Sequence, residues 1–438
     1  MKYENYNYTV NEAWDILFDK FNIAENVSAY GFFKLEAKEI KKYKEPRLMS
    51  KWDASKQVPN KFKKNKINIL PISRTSYILG NFNIYEKLPE FVKQNEDVFH
   101  VELPELESIQ IEEITSEANA INVLILTKIL DHFLETNENH STFNGRMGTG
   151  KFDFKLERTD NSSFIPIHVE SAQCEIDGGF ENDESVVILE AKNIVNEDFN
   201  VRQLYYPYRL WSKKVNKPIR LVFSIYANKV FRLFEYKFDD KNNMSSIKKV
   251  KESMYSIEDV NISLEDIIEV YKHTNPKYYD EKDKNDTPFI QADSMDRIIS
   301  LLENLYQNPQ TEIQIAFELM DFTPRQSNYY FNAGKYLGLF DKEKFGDGGK
   351  KVKLTKLAFD IYKLPYKQRQ LKIIELIFQH KIFNDLFKFV IKYGEIPDKE
   401  IIIKKMRELN VCSENVIDRR ANSVYSWLQW IIKLTHLS

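Results

Sequence analysis

Apolar residues recur at helical spacing from Asn11 to Phe21 (Ala13, Trp14, Leu17, Phe18, Phe21), which predicts a helix near the N-terminus. Ile67, Ile69 and Ile72 alternate with polar neighbours around Pro71, so the segment from Lys66 to Phe82 reads as short strands. Residues 1–100 are therefore expected to form one α+β unit. From Ile114 to Glu135 there is no Gly or Pro, Thr115 and Ser116 offer N-caps, and apolar residues cover much of the circumference, which predicts one largely buried helix. Strand-like runs follow at KFDFKL, FIPIHVE and SVVILEAK. A helix-compatible stretch spans Val201 to Trp211, and then RLVFSIY and VFRLFEYKF flank Asn228. The pattern is that of an α/β domain over residues 101–275.

Residues 276–294 are polar, charged and contain proline, as a linker would be. Helical patterns then lie at Met295–Tyr306, Glu312–Met320 and Pro324–Leu337, before a Gly-rich turn flanked by Lys350, Lys351 and Lys353. This is the element order of a winged helix, expected over 295–366. Amphipathic segments in 367–438 read as a small helical domain.

Composition narrows the chemistry. Lys and Arg number 63 against 65 Asp and Glu in 438 residues, so the whole chain shows no polyanion-binding signature. Residues 321–438, however, hold 22 basic against 13 acidic residues, leaving the remainder acidic. Cys174 and Cys412 alone exclude a disulfide framework and a cysteine zinc site. A reducing, cytoplasmic setting is expected, without signal peptide or membrane span. Glycine is scarce, and the clusters Gly145/Gly148/Gly150, Gly178/Gly179 and Gly346/Gly348/Gly349 are expected to mark tight turns.

The strongest chemical signal is EIDGGFENDESVVILEAK, from Glu175 to Lys192. In an extended strand Ile188, Glu190 and Lys192 share one face, while Val187, Leu189 and Ala191 share the other. Ending an apolar strand in two charges is costly unless they are paired, solvated or metal-bound. Asp177 can approach the same point from the neighbouring antiparallel strand. Two carboxylates at that range favour a hard cation such as Mg²⁺, and Lys192 is placed to orient a nucleophilic water or offset developing negative charge. Phosphodiester hydrolysis suits this set.

Asp177, a twelve-residue spacer and Glu190-Ala191-Lys192 resemble the PD-(D/E)XK motif of type II restriction endonucleases, with Ile176 in place of the proline. EPRLMSKWD from Glu45, ILPISRTSYILG from Ile69 and RQLYYPYR from Arg202 also look like segments of restriction enzymes that join such a core to a C-terminal winged helix. The resemblance implies an α/β fold with a restriction-endonuclease-like core, a mixed sheet flanked by helices. It implies Mg²⁺-dependent, site-specific cleavage of double-stranded DNA, with Asp177, Glu190 and the Ala191 carbonyl holding the metal and Lys192 positioning water. Glu117 in TSEAN matches an assisting glutamate on the preceding helix, and Gln203 a glutamine near the active site. A homodimer and a cognate DNA methyltransferase are the implied partners. A DNA-binding regulator with a vestigial nuclease fold and a structure-specific repair nuclease are the alternatives.

Two further motifs bear on DNA. GRMGTGKF mimics a phosphate-binding loop, but Phe152 stands where Ser or Thr should hold Mg²⁺, and the expected order of elements is reversed. It reads as a turn entering a strand, where Arg146 and Lys151 can meet DNA phosphates. In TPRQSNYYF, Thr323 as N-cap and Pro324 at the first helical position put Arg325, Gln326, Ser327 and Asn328 on a helix's first turns. These are base-reading side chains, and Lys350, Lys351 and Lys353 can grip phosphates as a wing.

Overall fold

A computed structural model describes residues 8–89, 98–104, 106–109, 114, 116–258, 260–279, 286–307, 309–311, 315, 324–345 and 349–436. The N-terminal unit opens with helix α1 (Val10–Phe21), started by a capping box between Thr9 and Glu12, and α2 (Ile23–Tyr30). Strand β1 (Phe32–Glu36), short helices α3 (Ala37–Lys41), α4 (Pro46–Ser50) and α5 (Asn60–Asn65), and the hairpin β2 (Asn68–Pro71) and β3 (Ser76–Gly80) complete it. The three strands form an antiparallel sheet in the order β1-β3-β2. Its core joins Trp14, Phe18, Trp52 and Phe62 edge to face.

Next come β4 (Tyr85–Lys87), β5 (Val98–His100), helices α6 (Glu117–Leu126) and α7 (Ile129–Leu134), then β6 (His140–Gly148), β7 (Phe152–Glu157) and β8 (Phe164–Val169). They are followed by β9 (Gln173–Glu181), β10 (Val186–Lys192), β11 (Asp198–Asn200), α8 (Arg202–Trp211), β12 (Ile219–Ala227), β13 (Val230–Phe238) and β14 (Ile247–Ser256). Seven of these strands make one mixed sheet in the order β5-β14-β13-β12-β10-β9-β6. Strand β10 runs parallel to β12 through the crossover helix α8 and antiparallel to β9. The alternation of β10 holds: Ile188 packs on the α8 face, and Val187, Leu189 and Ala191 pack on the face covered by α6 and α7. At the β12–β13 turn Asn228 and Lys229 both take positive φ, as a two-residue hairpin loop requires.

The C-terminal region holds α9 (Leu264–His273), α10 (Met295–Gln307), β15 (Gln310–Thr311), α11 (Pro324–Tyr336), β16 (Phe340–Phe345), β17 (Gly349–Leu354) and α12 (Lys356–Tyr362). Helices α13 (Tyr366–Phe378), α14 (Lys381–Tyr393), α15 (Lys399–Glu408) and α16 (Glu414–Lys433) close it. The strands form a small sheet, β15-β17-β16. One apolar core runs through both 295–366 and 367–438. No helix among the described residues is long and apolar enough to cross a membrane.

Several expectations need correction. The helix foreseen over 114–135 is two helices, because Thr127 turns its hydroxyl back onto the Val123 carbonyl and Lys128 adopts positive φ. Gly178 and Gly179 form no turn. They lie inside β9, where the Phe143 ring crosses Gly179 so closely that a Cβ would sit 2.2 Å from it. The turn into β10 is made instead by Asn182, whose side-chain oxygen accepts the N–H groups of Glu184 and Ser185. Gly145 and Gly148 belong to β6, and Gly150 follows it, so the phosphate-loop mimic joins two strands. The linker 276–294 is not free chain in its described part: Phe289, Ile290 and Ala292 are buried, and Trp427 donates to the Ala292 carbonyl. The helix foreseen at Glu312–Met320, apart from Ile315, and the turn residues Gly346 and Gly348 lie outside the described residues.

Candidate active site

Strands β9 and β10 pair as far as Leu189 opposite Gly178 and then part. Beyond that point β9 stays with β6, while β10 continues beside β12 to Lys192. The parting would leave the Ala191 N–H without a ladder partner on the β9 side. Asp177 supplies one, its Oδ2 accepting that N–H at 3.0 Å. One carboxylate oxygen is thereby fixed at the fork, and Glu190 and Lys192 flank Ala191.

Lys192 sits at the centre. Its Nζ lies 2.7 Å from Glu190 Oε1, 3.7 Å from Glu117 Oε1 and 3.8 Å from Asp53 Oδ2. Glu117 occupies the first position of α6, whose N-cap Ser116 accepts the Asn119 N–H. The helix N-terminus therefore points its partial positive charge at the cluster. Gln203, in the first turn of α8, is buried and donates to the same Glu190 oxygen as Lys192. The residues read from the sequence as catalytic thus converge: Asp177, Glu190, Ala191, Lys192, Glu117 and Gln203.

Asp53 was not foreseen. It follows α4 in the N-terminal unit and is tied to β11, its carbonyl accepting the Asn200 N–H at 2.8 Å. Asn200 Nδ2 also donates to the Trp52 carbonyl, and Asp198 holds Ser55 N–H at 2.7 Å. The only sequence signal was its place in EPRLMSKWD, which has no spacing relation to Asp177.

Four carboxylates face one ammonium. Burial, reinforced by Asp177 and Asp53, pushes the Glu190 carboxyl up to about 8 although Lys192 pulls the other way. Burial works against the charge of Lys192, but Glu190, Asp53, Glu117 and Asp177 together hold it well above the usual lysine range. Burial likewise raises Glu117. The cluster has more negative charge than its own lysine can neutralise. Asp53 Oδ1 and Gln203 Oε1 are in addition buried oxygens without a hydrogen-bond partner.

Hard oxygen donors in excess, with two orphaned, suit a divalent cation such as Mg²⁺. Among the described residues no three acidic, histidine or cysteine side chains are already drawn together as a finished metal shell. The Lys192 ammonium occupies the middle of the carboxylates instead.

The residues expected at DNA lie outside the acidic cluster, Arg146 beside it. Arg146, on β6, bonds Glu175 on the solvent-facing side of β9, two residues from Asp177. Lys151 is not brought to the site: it pairs with Glu170 across the open end of the β7–β8 hairpin. Arg325, Gln326 and Ser327 fall on the first turn of α11, but their side chains lie outside the described residues. Asn328 is half-buried, and its buried Oδ1 has no hydrogen-bond partner. Lys350, Lys351 and Lys353 lie on β17, Lys350 exposed and Lys353 paired with Glu343.

Three family models match successive segments of the chain, each described as a domain of unknown function: DUF6996 over residues 11–79, DUF6997 over 80–256 and DUF7226 over 297–436. No curated protein and no solved structure matches the chain.

Proposed function

We propose that this chain is a Mg²⁺-dependent endonuclease of the PD-(D/E)XK type, hydrolysing phosphodiester bonds in double-stranded DNA. The observation that carries the reading is the convergence of Asp177, Glu190 and Lys192 where β9 and β10 part, with Glu117 and Asp53 adding negative charge. The crossover of β10 through α8 to parallel β12, with α6 and α7 on the opposite face, supports a restriction-endonuclease-like core.

Asp177, Glu190 and the Ala191 carbonyl would hold the metal, assisted by Glu117 and Asp53. A Mg²⁺ ion held by these residues would supply Lewis acidity to phosphodiester hydrolysis. Lys192, kept charged by its acidic neighbours, orients the attacking water and offsets charge on the phosphoryl oxygens as the bond breaks. Gln203 fixes the Glu190 rotamer, and the Ala191 N–H fixes Asp177. The C-terminal order α10, β15, α11, β16, β17, with sheet order β15-β17-β16, supports a winged-helix module for DNA recognition. Cutting both strands calls for two such sites, hence a homodimer, and a methyltransferase would protect the host's own sites.

Incubating plasmid DNA with the protein and Mg²⁺, then sequencing the fragment ends, tests the proposal. A fixed fragment pattern lost on adding EDTA is the expected result. Digestion of branched or damaged DNA alone would favour a repair nuclease, and binding without cutting would favour a regulator.

A further inference from the structure

Beside the site, on the solvent face of β9, the Glu175 carboxylate is encircled by three cations. Arg146 Nε approaches Oε1 at 3.2 Å, and Arg47 Nη2 and Lys51 Nζ approach Oε2 at 3.4 and 3.6 Å. Two come from the N-terminal unit. Arg47 and Lys51 are four residues apart on and just after α4, and so lie on one side of it. That short helix is anchored: Pro46 and Met49 are buried, Trp14 Nε1 donates to the Met49 carbonyl at 2.9 Å, and the Lys51 N–H bonds the Arg47 carbonyl. Both guanidinium groups are about half exposed, so the cluster faces water with three positive charges against one negative.

Exposed ion pairs of this kind stabilise a fold little. Arginine forks bond phosphate oxygens as readily as carboxylates. Alternation along β9 puts Glu175 and Asp177 on the same face, roughly 7 Å apart at strand rise. The cationic rim therefore adjoins the acids that would act on a phosphodiester.

Resting on the nuclease reading above, we propose that Arg47, Lys51 and Arg146 form a clamp for the DNA backbone beside the scissile phosphate, and that Glu175 holds this place until a phosphate displaces it. The N-terminal unit is then part of the substrate-binding surface, not an appendage to the sheet.

The test is equilibrium binding of a fluorescent 30-base-pair duplex in EDTA across a series of salt concentrations. Each neutralised phosphate contact contributes about −0.9 to the slope of log affinity against log salt. R47Q/K51Q/R146Q should flatten the slope by about 2 to 3 and weaken binding at least tenfold, with an unchanged melting temperature. E175Q should tighten binding several-fold. An unchanged slope in the triple variant, while the wild type still cuts plasmid with Mg²⁺, overturns the clamp and leaves the nuclease reading standing. A flattened slope in a protein that never cuts supports the clamp and sinks the nuclease. No duplex binding by the wild type, or stronger binding to an RNA duplex of the same length, overturns the proposal.

Discussion

Two clusters of charged side chains among the described residues differ in balance. At the seam between the large sheet and the C-terminal region, Lys229 pairs with Glu258 at 2.6 Å and Arg369 with Glu303 at 2.8 Å. Each acid is also given a backbone donor, Tyr366 N–H for Glu258 and Asn228 N–H for Glu303, and Gln370 bonds the Asn228 side chain. Two cations meet two anions, and the set ties the β12–β13 turn to α10 and α13. At the β9–β10 fork, four carboxylates meet one lysine. A seam that only joins parts of a fold tends to cancel its charges, because unpaired buried charge is costly. The uncancelled excess at the fork is what a ligand would be selected to neutralise.

The contrast is open to attack at both ends. The largest effect is expected from K192A or D177N, which should lower Mg²⁺-dependent cleavage about 10²–10³-fold or more in a timed plasmid assay. D177N should leave the melting temperature level or higher, since it relieves repulsion. R369A should do the reverse: it strands Glu303, costs about 3–5 kcal/mol in urea unfolding, and leaves the chemistry of whatever remains folded intact.

Next in size is a pH effect. Burial pushes the folded Glu190 carboxyl up to about 8, whereas an unfolded glutamate titrates near 4.3. The folded state therefore binds more protons between those values, and stability in EDTA should fall as pH rises from about 5 to 8, by roughly 2–3 kcal/mol after allowing for the coupling to Lys192. E190Q should flatten that slope and Mg²⁺ should offset it. A slope that persists in E190Q would place the excess charge elsewhere. The smallest effect is expected from D53N, about a tenfold rise in the Mg²⁺ concentration needed for half-maximal cutting.

The pairing of Asp177 with Glu190 and Lys192 could be read from the chain because strand alternation and one hairpin decide it. Glu117 and Gln203 came from resemblance, and both lie at the cluster. Asp53 was invisible because its position depends on hydrogen bonds between units distant in sequence, through Asn200 and Asp198. Gly-Gly most often marks a turn, but in β9 a Cβ on Gly179 would meet the ring of Phe143 on the neighbouring strand, and one on Gly178 would meet the ring of Phe180. The supposed linker misled through its polar composition, which hid Phe289 and Ile290 in TPFIQA. The charge-balanced seam gave no signal either, since Asn228-Lys229 reads only as a hairpin turn.

The contact between Asp53 and Asn200 has a consequence for how the chain can be divided. The boundary that sequence similarity draws between residues 79 and 80 runs through the charge cluster, leaving Asp53 on one side and Glu190 on the other. Neither fragment carries the full set of acids by itself. Separating the two pieces would remove Asp53 from the cluster and leave Asp177, Glu190, Lys192 and Glu117 together on one of them.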